Sequence, residues 1–433
     1  MQTQNINKIL LDILDKDLDK IARKTNFKTR DSKLNPHNFL WISCLTSLNL
    51  CSNTLEELCD FLFFHKNIKI SPQALDQRIK NNSQNFFKYI FQSLCKIQFR
   101  NNSKAFKSWG FSKIFLMDST EMKLDDSLKK LYPGANKLSP SILKINLLLE
   151  LLNYSVEHIQ MTAGKTNEHN FSNHVYHKLN PNSLVLKDLG YFSFEDFMKI
   201  DEKGAFFISR LRAGTRLFTL NPNPEFKSNG TILEKSRYLV TNAGELVQEL
   251  AIGECKEFEF LLGSHKEKIP YRIILTRMHE DFKNNKLKTI KEDEKRNKRE
   301  SKATRNELEV SGFVTNLWGG SAEEIMEIYR LRWQIELLFK ILKTDFDLKK
   351  IRKLKVERIE AHIYSTLIKF MLTLEITKEI SGGYIPEISI RRVLKSSKIL
   401  LNNLIETLKN KRLFLELLKK LSEIIKDKKK SSA

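Results

Sequence analysis

The chain has 433 residues, of which 41% are hydrophobic and 29% charged, and its formal net charge is +22. Such a chain is long enough for two or three domains around a large core, and its composition is that of a soluble globular protein. The excess of cations favours a polyanionic partner, nucleic acid ahead of a membrane surface, although a lysine-rich background alone would give the same charge.

The five cysteines, Cys44, Cys51, Cys59, Cys95 and Cys255, contain no CxxC pair. That spacing argues against a zinc site and for free thiols in a reducing cytoplasm. Asp12, Asp15 and Asp17 interrupt the first apolar repeat, so it is not a secretory signal. No apolar run reaches the ~18 residues of a spanning helix, and no membrane partner is expected. The expected location is the cytoplasm.

Residues 1–105 read as helical. Apolar residues from Ile6 to Ile21 recur at helical spacing, and a second helix is expected from Phe39 to Leu50. Thr54 and Glu57 form a capping-box signal before LEELCDFLFF, and Pro72 opens the helix PQALDQRIKN. This pair is either a DNA-reading unit, with Gln73, Gln77 and Lys80 pointing outward, or part of an ordinary helical bundle.

From Lys113 the pattern changes. KIFLMDSTEMKL, ILKINLLLELLNY and VEHIQMTAG read as three strands, with a turn at Asn153–Tyr154. A helix from Asn167 to Leu179, the short strand SLVLKDLG, a helix from Phe194 to Ile200 and the strand AFFISRLR follow. Strands succeeded by alternating helix and strand predict a mixed α/β sheet. Residues 213–310 read as a β-rich insertion built from TRLFTL, ELVQELAIGECKEFEFLLG and YRIILTRM. It ends in a densely charged stretch, Lys283 to Asn306, read as a solvated helix or arm. The core resumes with EVSGFVTNL, and Ser321 and Glu324 cap a long helix. Lys349, Lys350, Arg352, Lys353 and Lys355 form a basic run. Helices continue to about Ile380, Gly382, Gly383 and Pro386 break the chain, and a last helical segment covers about 388–425. The expected division is 1–105, helical and DNA-binding; 106–212 with 311–380, the core; 213–310, the insertion; and 381–433, a C-terminal helical region.

Three acids stand out by placement. Asp118 lies inside an apolar strand, where an unpaired carboxylate is costly. Asp188 ends a second strand, and Glu336 lies on the polar side of the helix YRLRWQIELLFKILK. At about 100° per residue, Tyr329, Arg332, Glu336 and Lys343 fall within roughly 60° of one another on that helix. Three convergent carboxylates can hold two Mg²⁺ or Mn²⁺ ions for an in-line phosphoryl displacement, with Arg332 and Lys343 on flanking phosphates. Plainer readings stand beside these. Asp118 would serve the backbone with Asp125 or Asp126 as the ligand, and Glu336 would pair with Arg332 or Lys340 across a helical turn. Trp318 and Trp333 are the tryptophans placed to stack on an unpaired base, with core packing the preferred reading of Trp333.

The helix resembles the Y-(2)-R-(3)-E-(6)-K signature of insertion-sequence family four, a branch of the bacterial DDE transposases, with Tyr329, Arg332, Glu336 and Lys343 in its four places. FLMDST resembles the first aspartate motif of that family, and KDLGYFS its second, D-x-G-Y-F. The acids are 70 and then 148 residues apart, the longer gap holding the strands read above as an insertion.

The resemblance implies a ribonuclease-H-like core and cut-and-paste movement of DNA. It makes Asp118, Asp188 and Glu336 the metal-binding triad and Tyr329, Arg332 and Lys343 phosphate contacts. It also implies a flipped base held by a tryptophan, here Trp318, and a homodimer that bridges two double-stranded DNA ends through its C-terminal helices. The alternatives are a catalytically inactive DNA-binding repressor and a ribonuclease-H-like nuclease that cuts without joining.

Overall fold

A computed structural model of the chain describes residues 10–80, 82–95, 110–136, 139–152, 155–167, 169–211, 214–263, 267–297, 306–348, 351, 354–381, 396, 401 and 404–427. Lys349, Lys350, Arg352 and Lys353 of the basic run, the Asn153–Tyr154 turn, the break at Gly382, Gly383 and Pro386, and residues 388–395 lie outside them.

Five strands build the centre: β1 (Lys113–Lys123), β3 (Ser139–Glu150), β4 (Ser155–Ala163), β5 (Ser183–Lys187) and β6 (Phe206–Arg210). They lie side by side in the order β4-β3-β1-β5-β6. The first three are antiparallel neighbours, whereas β5 runs parallel to β1 and β6 parallel to β5. β2 (Pro133–Asn136) adds to the far end of β3.

The strands of the insertion are β7 (Arg216–Leu220), β8 (Tyr238–Asn242), β9 (Cys255–Gly263) and β10 (Lys268–Arg277). They form no separate sheet. β10 pairs with β11 (Val310–Thr315), β11 pairs with β6, and one 11-stranded sheet results. ELVQEL, read from the sequence as part of a strand, is helical over Ala243–Leu246 and Val247–Glu249. Asn242 caps that turn by accepting from the Glu245 amide, a local bond that outweighs apolar alternation.

Alternation along the strands divides the core in two. Ile114, Leu116, Leu184, Leu186 and Ile208 face one side, against the N-terminal helices and the long helix Val356–Ser381. Phe115, Met117, Val185 and Phe207 face the other, against Phe197 and Tyr271. Residues 361–377 of the long helix are all buried, so it is a central rod rather than an amphipathic surface helix.

The N-terminal helices share this rod's core. Ser83–Cys95 packs on it, and the Lys369 ammonium bonds the Thr46 carbonyl at 2.6 Å. The expected helix from Phe39 begins as Pro36–Leu40 and continues as a wider π-turn over Trp41–Leu45, whose carbonyl end Lys369 neutralises. The Thr54–Glu57 capping box heads the helix Leu55–Lys66, and Glu280–Asn297 is the charged helix of the insertion. Cys44, Cys51 and Cys59 are buried, and all five cysteines are free thiols. Among the described residues no helix is long and apolar enough to cross a membrane.

Candidate active site

The register of the parallel pair sets the two aspartates. Leu116 lies beside Leu186, so Asp188, just past the end of β5, comes level with Asp118 on β1. Leu116 and Leu186 both face the helical side, and period-two alternation sends both aspartates the same way. Leu147 of β3 flanks Asp118 on its other edge.

Glu336 arrives from above. The stretch read as one helix is two: Ala322–Arg330, headed by the Ser321–Glu324 capping box, and Trp333–Thr344, which packs on β1. Between them Leu331, Arg332, Gln334 and Ile335 make i→i−3 backbone bonds. This tighter winding advances about 120° per residue and shifts the phase of everything after it. Trp333 opens the second helix. It was expected in the core and is 61% exposed. Trp318 is also exposed, at 52%. Its loop is held rigidly: the Arg272 guanidinium donates to the carbonyls of Leu317, Gly319 and Gly320 at 3.1, 3.1 and 2.8 Å.

The three acids meet electrostatically around Arg332. Its guanidinium pairs with Glu336 and lies 4.0 Å from Asp188. Its Nε is buried with no hydrogen-bond partner among the described residues. Burial pushes the Asp118 carboxyl up to about 6; the Ser119 amide and Arg332 pull it down, while Asp188 and Glu336 push it further up. Two of the plainer readings are thus also present, since Asp118 accepts from the Ser119 amide at 2.7 Å and Glu336 pairs with Arg332 rather than Lys340. Asp125 caps a short 3₁₀ turn by accepting from the Ser127 amide.

Tyr329 is 7% exposed, and burial pushes its hydroxyl up to about 12. That hydroxyl donates to the Lys187 carbonyl at 3.2 Å, so its proton is spent on backbone. Lys343 lies in the last turn of the Glu336 helix, half-buried.

The donor set is hard oxygen, which suits Mg²⁺ or Mn²⁺ rather than a soft metal. As placed, no three His, Cys, Asp or Glu side chains among the described residues stand close enough to hold an ion. The cationic charge among the acids is the Arg332 guanidinium.

Gln73 and Gln77 are exposed on the helix Pro72–Lys80, whereas Lys80 is tied to Asp76. Sequence reasoning missed their neighbours. Gln77 lines a cavity of about 680 Å³ with Arg30, Lys33 and Arg78. It missed the Lys187–Asp196 pair too, although a lysine inside the apolar run SLVLK was a signal that a buried partner must exist.

A model described as the transposase DDE domain matches residues 109–372, a span that contains all three acids. The chain belongs to the DDE transposase family. Transposases for insertion-sequence elements are similar over most of its length. That of IS231F from Bacillus thuringiensis subsp. israelensis is 32% identical over 366 residues, covering 82% of this chain and 76% of the relative. That of IS1151 from Clostridium perfringens is 29% identical, covering 82% and 77%. A synaptic complex of piggyBac transposase with hairpin DNA, solved by cryo-EM, is more distant, with a TM-score of 0.44 and 9% identity over 97% of this chain and 74% of that one. As a DDE transposase the chain uses divalent metal, which its acids, and not its cysteines, are suited to hold.

Proposed function

We propose that this transposase belongs to insertion-sequence family four, binds the terminal inverted repeats of its own element, cleaves the strands there and joins the 3′ ends to target DNA. The observation that carries this reading is the convergence of Asp118, Asp188 and Glu336, from two adjacent strands and one helix, around the half-buried Arg332. The strand order β4-β3-β1-β5-β6, half antiparallel and half parallel, supports a ribonuclease-H-like core.

Two Mg²⁺ or Mn²⁺ ions, when bound, would activate the attacking oxygen and stabilise the leaving one. Asp118, Asp188 and Glu336 would hold them. Arg332, released from Glu336, turns its unpartnered Nε to a phosphate oxygen, and Lys343 grips a second phosphate further along the helix. Tyr329, its proton engaged, sets its ring 5.8 Å from the Arg332 guanidinium and steadies it instead of donating to phosphate. Trp318, in the loop before the helix pair, and Trp333, at the start of the glutamate helix, are both exposed and offer stacking faces to an unpaired base.

The N-terminal helical region, 1–105, would read the element ends through Gln73 and Gln77, with the basic cavity holding backbone phosphate and Lys80 acting from the same helix. Residues 381–433 would form the dimer surface. Leu413 and Leu415 remain 39% and 44% exposed on the helix Lys411–Asp427, which supports that assignment.

The test is Mg²⁺-dependent cleavage of a duplex bearing the terminal repeats, compared between wild type and Glu336→Gln. Equal cutting by both would remove the triad assignment. A strand-transfer assay on the cut product separates a transposase that joins from a nuclease that only cuts.

A further inference from the structure

Asp188 does not hold itself in place. Its backbone is extended, with φ −79° and ψ 168°, and its side chain caps nothing. Among the described residues its carboxylate has one neighbour of opposite charge, Arg332 at 4.0 Å, and that neighbour is mobile by design if it is to reach phosphate. Its position therefore comes from the backbone on which it stands, and that backbone is fastened one residue earlier.

Lys187 is fastened at both ends. Alternation along β5 turns its side chain to the face opposite Asp188, where it is fully buried and its ammonium meets the equally buried Asp196 carboxylate at 2.6 Å. Asp196 is itself anchored. Its amide donates to the Ser193 hydroxyl at 3.3 Å at the head of the helix Phe194–Asp201, and Lys187, Tyr176 and Ser172 draw its carboxyl down against the effect of burial. The Lys187 ammonium also lies 5.4 Å from the centre of the Phe197 ring, which stacks on Phe207 of the neighbouring strand. The Lys187 carbonyl, in turn, accepts from Tyr329, three residues before Arg332 on the helix pair that carries Glu336. One residue thus ties the end of the Asp188 strand to the helix beneath the sheet and to the helix pair above it.

We propose that Lys187, with Asp196 behind it and Tyr329 on its carbonyl, is a positioning device that sets the distance between Asp188 and Glu336. The proposal rests on Asp188 being a metal ligand. Stability alone does not call for the charges. Two buried ions lose their hydration, and apolar residues of similar volume commonly replace such a pair without loss of stability. What a salt bridge supplies and an oily contact does not is a fixed direction and length. A metal site needs its ligands held within about 0.5 Å, and this is where such precision has a use.

The double variant Lys187→Met/Asp196→Asn removes both charges at nearly constant volume and leaves no ion unpaired. Mn²⁺ binding to the DNA-free protein, followed by calorimetry, should weaken about tenfold. The melting temperature and the metal-free binding of a terminal-repeat duplex should stay at wild-type values. End cleavage should need correspondingly more metal and recover at saturation, a shift in metal requirement rather than in maximal rate. Tyr329→Phe, which cuts the second strap and leaves the Lys187–Asp196 pair intact, should move Mn²⁺ affinity the same way by about threefold, and it answers the question even if the double variant does not fold. Wild-type Mn²⁺ affinity in either folded variant would overturn the positioning role. Asp188→Asn separates the two readings. If it retains wild-type cleavage and Mn²⁺ affinity, Asp188 is not a ligand; if it is inert while the other variants bind metal normally, only the positioning device is wrong.

Discussion

The two faces of the central sheet treat charge in opposite ways. On the helical face Asp118, Asp188 and Glu336 repel one another across a single arginine, and the Asp188 and Glu336 side chains keep 40% and 32% of their surface exposed. On the opposite face Lys187 and Asp196 have no exposed surface and neutralise each other completely. Adjacent residues of one strand, 187 and 188, belong to these two regimes. One strand thus carries a half-exposed acid on one face and the anchor of a closed ion pair on the other, one residue apart.

The widest separation of the faces comes from Glu336→Gln. Cleavage should fall on the order of a thousandfold, as expected when a metal-holding carboxylate is lost, while the melting temperature is unchanged. A parallel fall in melting temperature would mean that the acid is structural.

Lys187→Met alone should do the reverse and act on stability first. It leaves Asp196 buried without its counter-ion, at a cost of about 3–5 kcal/mol in urea unfolding. A loss under about 1 kcal/mol would show that water reaches that side of the sheet.

The pH dependence of folding sharpens the contrast further. Burial holds His158 and His362 down at about 4 in the folded protein, against an ordinary value of about 6.5 in the unfolded chain. Both stay neutral when folded, so the stability they carry is complete above pH ~6.5 and is lost as the pH falls toward 4. Asp118, held up at about 6, runs the other way: its contribution is present at acid pH and is lost as the pH rises through that value. Melting curves from pH 7 to 4.5 should fall for wild type and fall less for His362→Gln. An unchanged slope in that variant would show that His362 is hydrated in solution.

The smallest effect on stability belongs to Trp333→Ala. Exposed as it is, the ring should cost no more than about 0.5 kcal/mol on removal. Binding of DNA with an unpaired base near the element end should nonetheless weaken by about 1–3 kcal/mol in a gel-shift titration. Equal binding by wild type and variant would leave Trp318 as the stacking face.

Much of this was legible in the chain itself. β1 with Asp118, β5 ending before Asp188 and the capping boxes at Thr54 and Ser321 were visible because each is local: apolar alternation, a turn, a side chain reaching its own third neighbour. The helix Pro36–Leu40, the strand β8 and the helical turn at Ala243 were missed or misjudged where a cap or a distant partner overrides the period of the residues. Trp333 was misplaced although 100° per residue already puts it beside Glu336 and opposite Leu331 and Ile335, on the exposed side.

The amino-acid sequence by itself determined which acids and cations the transposase has to work with, and the chemistry of hard-metal ligands and phosphate-binding groups limits what they can do. Tertiary structure decided which of them meet. The parallel register of β1 with β5 brings together carboxylates 70 residues apart, and the pairing of β10, β11 and β6 makes the insertion an extension of the same sheet. The pairing of Lys187 with Asp196, nine residues on, depended on a strand and a helix packing face to face. Local spacing carries no information about that packing, because burial and cross-strand bonding are properties of the assembled layers.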